Sequence, residues 1–180
     1  ERQTINGFKA LKKQLEWMAG RYLVKQMMQH LFFPDRPLDT IAIDYHSQGA
    51  PFIAGHDAVS FSLSHSGQYT AAACSTCSGR SMTLGIDIEK IAEKPDNGFL
   101  KTAFSTAERA ALDDNAPAAV IFRNWTIKEA YLKYIKKGFH ESLHNVEVLG
   151  SSIFHHQKKT DVTVFSTLLD DGYALSLVYE

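Results

Sequence analysis

Two short stretches of the chain carry residue types that bind metal ions and move phosphoryl groups. One is Trp125-Thr-Ile-Lys128-Glu129-Ala-Tyr-Leu-Lys133; the other, 40 residues upstream, is Gly85-Ile-Asp87-Ile-Glu89-Lys90. In a helix of 3.6 residues per turn, Trp125, Glu129 and Lys133 share a face at i, i+4 and i+8, with Lys128 beside them. On a strand, Asp87 and Glu89 lie two apart and point to the same side. Two strand carboxylates plus one helix carboxylate outline an all-oxygen Mg²⁺ site, and the lysines supply positive charge for the phosphates such an ion commonly holds. A plainer reading stands beside this one. Asp87 and Glu89 also suit the solvent face of an edge strand, where charge discourages aggregation. Lys128, Glu129, Lys133, Lys136 and Lys137 also suit a solvated helix face, with Glu129 and Lys133 in the favoured i,i+4 order. Spacing alone leaves both readings open.

The two stretches resemble the signature motifs of the 4′-phosphopantetheinyl transferases, Gly-Ile-Asp-Ile-Glu and Trp-x-x-Lys-Glu-Ala-x-x-Lys. A third stretch, Phe61-Ser62-Leu63-Ser64-His65-Ser66, is similar to the Ser-His motif that precedes the acidic strand in the larger, monomeric type, which activates surfactin synthetase. The three motifs come in the family's order within residues 61–139. The resemblance implies an enzyme that moves the phosphopantetheine arm of coenzyme A onto a serine of an acyl or peptidyl carrier protein, releasing adenosine 3′,5′-bisphosphate. It implies Mg²⁺ on Asp87, Glu89 and Glu129. Glu129 then takes the serine proton, directly or through water, and Lys133 stabilises charge on the leaving phosphate. Coenzyme A contacts fall to Ser64, His65, Asp87, Lys128 and Lys133, and to basic residues of the first helix, taken as Lys13 and Arg21. The implied fold is α+β, with two similar α/β halves related by a pseudo-two-fold axis and the active site between them. The partners implied are coenzyme A and an acidic apo carrier protein, met near Lys136, Lys137 and Phe139 by a cytoplasmic monomer. Two other classes use the same residues: a Mg²⁺-dependent phosphohydrolase, and a non-catalytic relative that binds coenzyme A or the carrier.

The chain departs from the family pattern at two places. A turn that often reads Gly-Lys-Pro reads Gly49-Ala50-Pro51, which removes one expected phosphate contact. The continuation Lys-x-x-Gly-x-Gly reads Lys133-Tyr-Ile-Lys136-Lys137-Gly138, which predicts a loop starting one turn later.

These residues need a scaffold. At 180 residues the chain is long enough for one domain with a sizeable core. A net charge of −1 provides no global basic field for nucleic acid or an anionic membrane. No apolar run approaches the ~18–20 residues of a membrane span. No signal-peptide pattern is present, although the chain starts at Glu1 without an initiator Met, so its native start is left open. Cys74 and Cys77, without a second pair, read as ordinary reduced thiols.

A helix is expected over residues 7–30, with Phe8, Leu11, Leu15, Met18 and Tyr22 as its apolar stripe and Lys9/Lys13 and Arg21/Lys25 as basic pairs. Pro34 and Pro37 end it. Strands are expected near 41–45, then at 59–63, 69–77 and 82–88 as an antiparallel meander. Residues 90–98 read as a linker between halves 1–90 and 91–180. Ser105 and Glu108 form a capping box. A second long helix is expected from about Pro117 to Lys137, stopping at Gly138. Strands near 146–148, 162–168 and 173–179 close the chain, the last two joined by a turn at Leu169-Asp-Asp-Gly172. Trp125 is expected in the core; the resemblance implies that it also helps shape the cleft. His155 and His156, adjacent on a strand, are expected on opposite faces as a solvated pair. Without a Gly-x-Ser-x-Gly elbow, Ser64-His65 is a poor acyl-transfer pair.

Overall fold

The first long helix stops before Pro34, which has no amide to donate and whose ring obstructs a further turn. The computed structural model describes residues 1–47, 49–76, 82–113 and 115–180, the side chains of Arg2, Gln3, Thr76 and Phe139 excepted; Cys77 lies outside the described residues. A short helix α1 (Arg2–Gly7) precedes α2 (Leu11–Leu31), so the predicted helix is split near its start. The predicted apolar stripe faces outward: Leu11, Leu15, Met18 and Tyr22 are exposed. Gly20, Val24 and Met28, half a turn round the helix, are buried instead. Both faces carry apolar residues, and the sheet selects one of them. Gly20 is the contact point, where a Cβ would stand 2.9 Å from a Leu63 methyl.

Strands β1 (Ile43–Tyr45) and β2 (Pro51–Ile53) pair antiparallel, and β3 (Val59–Ser66) forms a hairpin with β4 (Tyr69–Thr76). Gly67 turns that hairpin at φ +59°, a conformation that favours glycine. Val24 and Met28 of α2 close a core with Ile41, Ile53 and Phe61. The expected meander ends here. The next strand, β5 (Leu84–Lys90), has no ladder with β4. It runs beside β3 in the same direction, joined by serine side chains. Ile86 N donates to Ser62 Oγ at 3.1 Å and Lys90 N to Ser66 Oγ at 3.0 Å.

The remaining elements are α3 (Asn97–Ala103), α4 (Thr106–Ala111), α5 (Ala118–Tyr134), β6 (Val146–Leu149), β7 (Ser152–His155), β8 (Lys158–Lys159), β9 (Thr163–Leu169) and β10 (Tyr173–Tyr179). The capping box forms as predicted, with Ser105 and Glu108 each accepting the other's backbone amide. The other edge of β5 pairs along its whole length with β10, which pairs with β9. β5, assigned by the division at residue 90 to the first half, is therefore hydrogen-bonded to the second. Ile127, Tyr131 and Leu132 of α5 bury against Val146, Ile153 and Val178. The fold is α+β. Among the described residues no helix is long and apolar enough to cross a membrane.

Two local details shape the site. Gly85 lets α5 lie directly on β5: a Cβ there would collide with the Ala130 carbonyl and the Tyr134 amide. The end of α5 falls at Tyr134 rather than Lys137, so the loop does not start one turn later. Lys137 N donates to Leu132 O and Lys136 N to Lys133 O, a Schellman pair. Lys136 fills its left-handed position at φ +57°, a place that glycine occupies without strain. Lys136→Gly is expected to raise stability by about 0.5–1 kcal/mol in urea unfolding, and Lys136→Val to lower it.

The strand β7 stops at His155, and His156 and Gln157 turn the chain at φ +49° and +65°. Strand alternation therefore ends between the two histidines. Their rings stack at 4.4 Å on one side, correcting the expectation of opposite faces.

Candidate active site

Strand β5 and helix α5 carry the acidic centre. β5 pairs with β10 on one edge and is covered by the serines of β3 on the other, so Asp87 is only 3% exposed. The solvent-facing reading of Asp87 therefore fails. Its Oδ1 accepts from Lys133 Nζ at 2.7 Å and from Ser64 Oγ at 2.7 Å. Lys133 Nζ also donates to the Ile86 carbonyl at 3.1 Å, and Ser66 Oγ donates to Glu89 Oε2 at 2.8 Å. Asp87 Oδ2 and Glu129 Oε1 are buried and have no hydrogen-bond partner among the described residues. Burial, and then the neighbouring charge of Asp87, push the Glu129 carboxyl up to about 7. Burial likewise raises Glu89, against the lowering effect of its Ser66 hydrogen bond. Three carboxylates from two elements, with two orphaned oxygens, offer the oxygen donors that a hard divalent cation takes, but their ligand atoms do not all lie within 4.8 Å of one another, so holding one ion would require them to close in.

A cleft of about 570 Å³ opens beside this centre, between α2, the β1–β2 turn, β3 and the end of α5. Of the charged and histidine residues singled out from the sequence, Lys13, Arg21, His65, Lys133 and Lys136 line it, as does Ala50 in its wall. Ser64 is buried and spends its hydroxyl on Asp87. Arg21 is held before any ligand arrives. Its guanidinium lies 4.2 Å from the Trp17 ring centroid and donates to Ile43 O and Tyr45 Oη, each at 3.2 Å. It also pairs with Glu1 at 3.3 Å, as does Lys25 at 2.9 Å. Sequence reasoning missed Trp17 and Tyr45 in the cleft and Ser66 as the partner of Glu89. The available signal was the serine alternation of β3, which also reads as the polar side of a half-buried strand.

Lys128 requires a correction. It was expected to contact coenzyme A, yet it is fully buried and turned away from the cleft. Its Nζ donates to Glu108 Oε2 at 2.6 Å, Ala103 O at 2.8 Å and Leu143 O at 3.1 Å. Consecutive helix residues are about 100° apart, so presenting Glu129 to β5 turns Lys128 into the core. Burial pulls its pKa down, opposed by the Glu108 carboxylate. Trp125 packs edge-on against Phe99 and Phe104, a core role. Lys128→Met is expected to cost about 3–5 kcal/mol in chemical denaturation, because Glu108 would be left charged, buried and unpaired. Adding Glu108→Gln should recover part of that loss, since Gln still serves a capping box. Near-native stability of the single variant, with weakened coenzyme A binding, would restore the cleft assignment.

A family model described as the 4′-phosphopantetheinyl transferase superfamily matches residues 83–178. A second, described as 4′-phosphopantetheinyl transferase, N-terminal, matches residues 1–77. The 4′-phosphopantetheinyl transferase gsp of Aneurinibacillus migulanus is 29% identical over 167 residues, covering 88% of this chain and 66% of the relative. The L-aminoadipate-semialdehyde dehydrogenase-phosphopantetheinyl transferase of Xenopus laevis is 24% identical over 163 residues, 82% and 52% of the two chains. The 4′-phosphopantetheinyl transferase AcpT of Salmonella typhi is 32% identical over 125 residues, 67% and 58%. The chain thus spans about half to two thirds of the length of these relatives.

Proposed function

The chain belongs to the 4′-phosphopantetheinyl transferase superfamily, and on that premise we propose that it transfers 4′-phosphopantetheine from coenzyme A to a serine of an acyl or peptidyl carrier protein. The observation that carries this reading is the pair of buried, unpartnered oxygens, Asp87 Oδ2 and Glu129 Oε1, set beside Lys133 at the edge of the cleft. Asp87, Glu89 and Glu129 are the proposed holders of Mg²⁺, which would neutralise charge on the coenzyme pyrophosphate. Ser64 and Ser66 orient two of these carboxylates. Glu129, directly or through one water, accepts the proton of the incoming serine. Lys133 donates to the leaving phosphate, whose charge grows as the phosphorus–oxygen bond breaks. Lys13, Arg21 and His65 supply the cleft with groups suited to the anionic end of coenzyme A.

The two halves are proposed to be related by a pseudo-two-fold axis, with the site at the β3–β5 seam. The helix-on-strands packing of α2 on β3–β4 and of α5 on β5–β10 supports this. An acidic apo carrier is proposed to approach a monomer near Lys136 and Lys137, of which Lys136 reaches the cleft. The side chain of Phe139 lies outside the described residues. A reducing, cytoplasmic setting is consistent with a chain of two cysteines, of which Cys74 is free.

The deciding experiment incubates the protein with coenzyme A, Mg²⁺ and a panel of apo carrier proteins and weighs the products. A carrier heavier by the phosphopantetheine arm supports the reading. Cleavage of coenzyme A without a carrier adduct would indicate a phosphohydrolase. Lys133→Ala is expected to lower kcat on the order of 10²-fold or more while changing KM for coenzyme A much less, because its bond strengthens as charge develops. A large rise in KM at unchanged kcat would make Lys133 a ground-state contact instead.

A further inference from the structure

The two histidines displaced by the β7 turn converge with a third group on the far side of the α5 loop. Glu141, His155 and His156 offer one ligand atom each, and these atoms all lie within 4.8 Å of one another. We propose that Glu141, His155 and His156 form a second metal site, of borderline N/O type suited to Zn²⁺ and separate from the acidic centre.

The arrangement has the parts such a site needs. Glu141 is 8% exposed, and its Oε1 is fixed by Asn145 Nδ2 at 2.9 Å and Ser142 N at 3.1 Å. That leaves Oε2 facing the imidazoles, 3.3 Å from His155 Nε2 and 3.8 Å from His156 Nε2. Ligand bonds of ~2.0–2.2 Å in a tetrahedron put donor atoms ~3.3 Å apart, so the first spacing is already met, the second needs a few tenths of an ångström, and the two imidazole nitrogens, within 4.8 Å of each other on stacked rings, would have to tilt together. His155 Nε2 is buried, and its 3.3 Å contact with Glu141 Oε2 does not have hydrogen-bond geometry. A buried ring nitrogen with only that contact is poorly satisfied, and a metal ion would satisfy it. Asn145 orients the carboxylate through its side chain, and its carbonyl accepts from His156 N at 2.8 Å, which holds the turn. Second-sphere bonds of this kind set ligand direction. The His156 side chain is 59% exposed, so a fourth position faces solvent.

Lys137 Nζ, 3.3 Å from Glu141 Oε2, is the competitor. Its side chain is 48% exposed and flexible, so a divalent ion can displace it into water. Imidazole nitrogens favour Zn²⁺, Co²⁺ or Cu²⁺ over Mg²⁺, which keeps the two centres chemically distinct. An ion here would join Glu141, the residue that ends the 3₁₀ segment Gly138–His140, to the β7–β8 turn.

The test uses the whole chain, freed of metal by a chelator and titrated with Co²⁺, with visible absorption read directly and Zn²⁺ added as competitor. One equivalent of Co²⁺ with mixed N/O ligand-field bands is expected, displaced by Zn²⁺ and not by excess Mg²⁺. The same bands should persist in an Asp87→Asn/Glu129→Gln variant, which cripples the acidic centre. His156→Ala, at a mostly exposed side chain, should weaken binding by at least the ~10–100-fold that losing an outer-shell partner costs. His155→Ala/His156→Ala should abolish the bands, with circular dichroism verifying the fold. No Co²⁺ bands in the native chain, or bands unchanged by His156→Ala, would overturn the site.

Discussion

The buried pair of Lys128 and Glu108 is the constraint on which the second half of the molecule turns. Taking two charges out of water costs several kcal/mol per ion, and only complete satisfaction of both offsets it. Here the ammonium has three partners, Glu108 and the carbonyls of Ala103 and Leu143. The carboxylate accepts in addition from Ser105 N at the start of α4 and from Val148 N on β6. One ion pair therefore ties the end of α3, the start of α4, the middle of α5 and β6. It also sets the rotation of α5 about its own axis. With Lys128 locked inward, Glu129 and Lys133 must face β5.

At that face the balance of interactions is reversed. Lys128 and Glu108 satisfy each other, whereas Asp87, Glu89 and Glu129 repel one another and share Lys133 as a nearby cation. Serines of β3 hold Asp87 and Glu89 in place, and Gly85 brings α5 close enough for Lys133 to reach Asp87. Raised carboxyls and orphaned oxygens in a packed interior are unfavourable for stability and useful for chemistry, which is why such combinations mark functional sites. The rigid ion pair behind α5 lets this frustrated cluster persist without the helix rotating to relieve it.

The cleft shows the same division between fixed and free parts. Arg21 is pinned by Trp17, Tyr45 and a backbone carbonyl, so it retains little rotamer freedom. Lys13 and Lys136 line the same cleft as exposed side chains. Lys136 holds the left-handed position at the helix end, at some cost in backbone energy.

Much of this could be read along the chain. The capping box at Ser105, the helix stop before Pro34, the same-side pair Asp87/Glu89 and the helical alignment of Glu129 with Lys133 are local facts of period and turn chemistry, and the three-motif resemblance pointed to the right family. The tertiary structure decided four things that spacing does not encode. It buried the Val24–Met28 side of α2 and exposed the Leu11–Tyr22 side, because both are apolar and the hairpin covers one. It paired β5 with β10 rather than β4, because a strand's edge partner is set by packing across distant sequence. It turned Lys128 into the core, because a side chain's neighbours depend on helix rotation. It brought His155 and His156 together, because a left-handed turn cancels strand alternation. Spacing along a helix or strand sets the angle between side chains; what each side then meets is a long-range result of burial and electrostatics, which the local pattern does not contain.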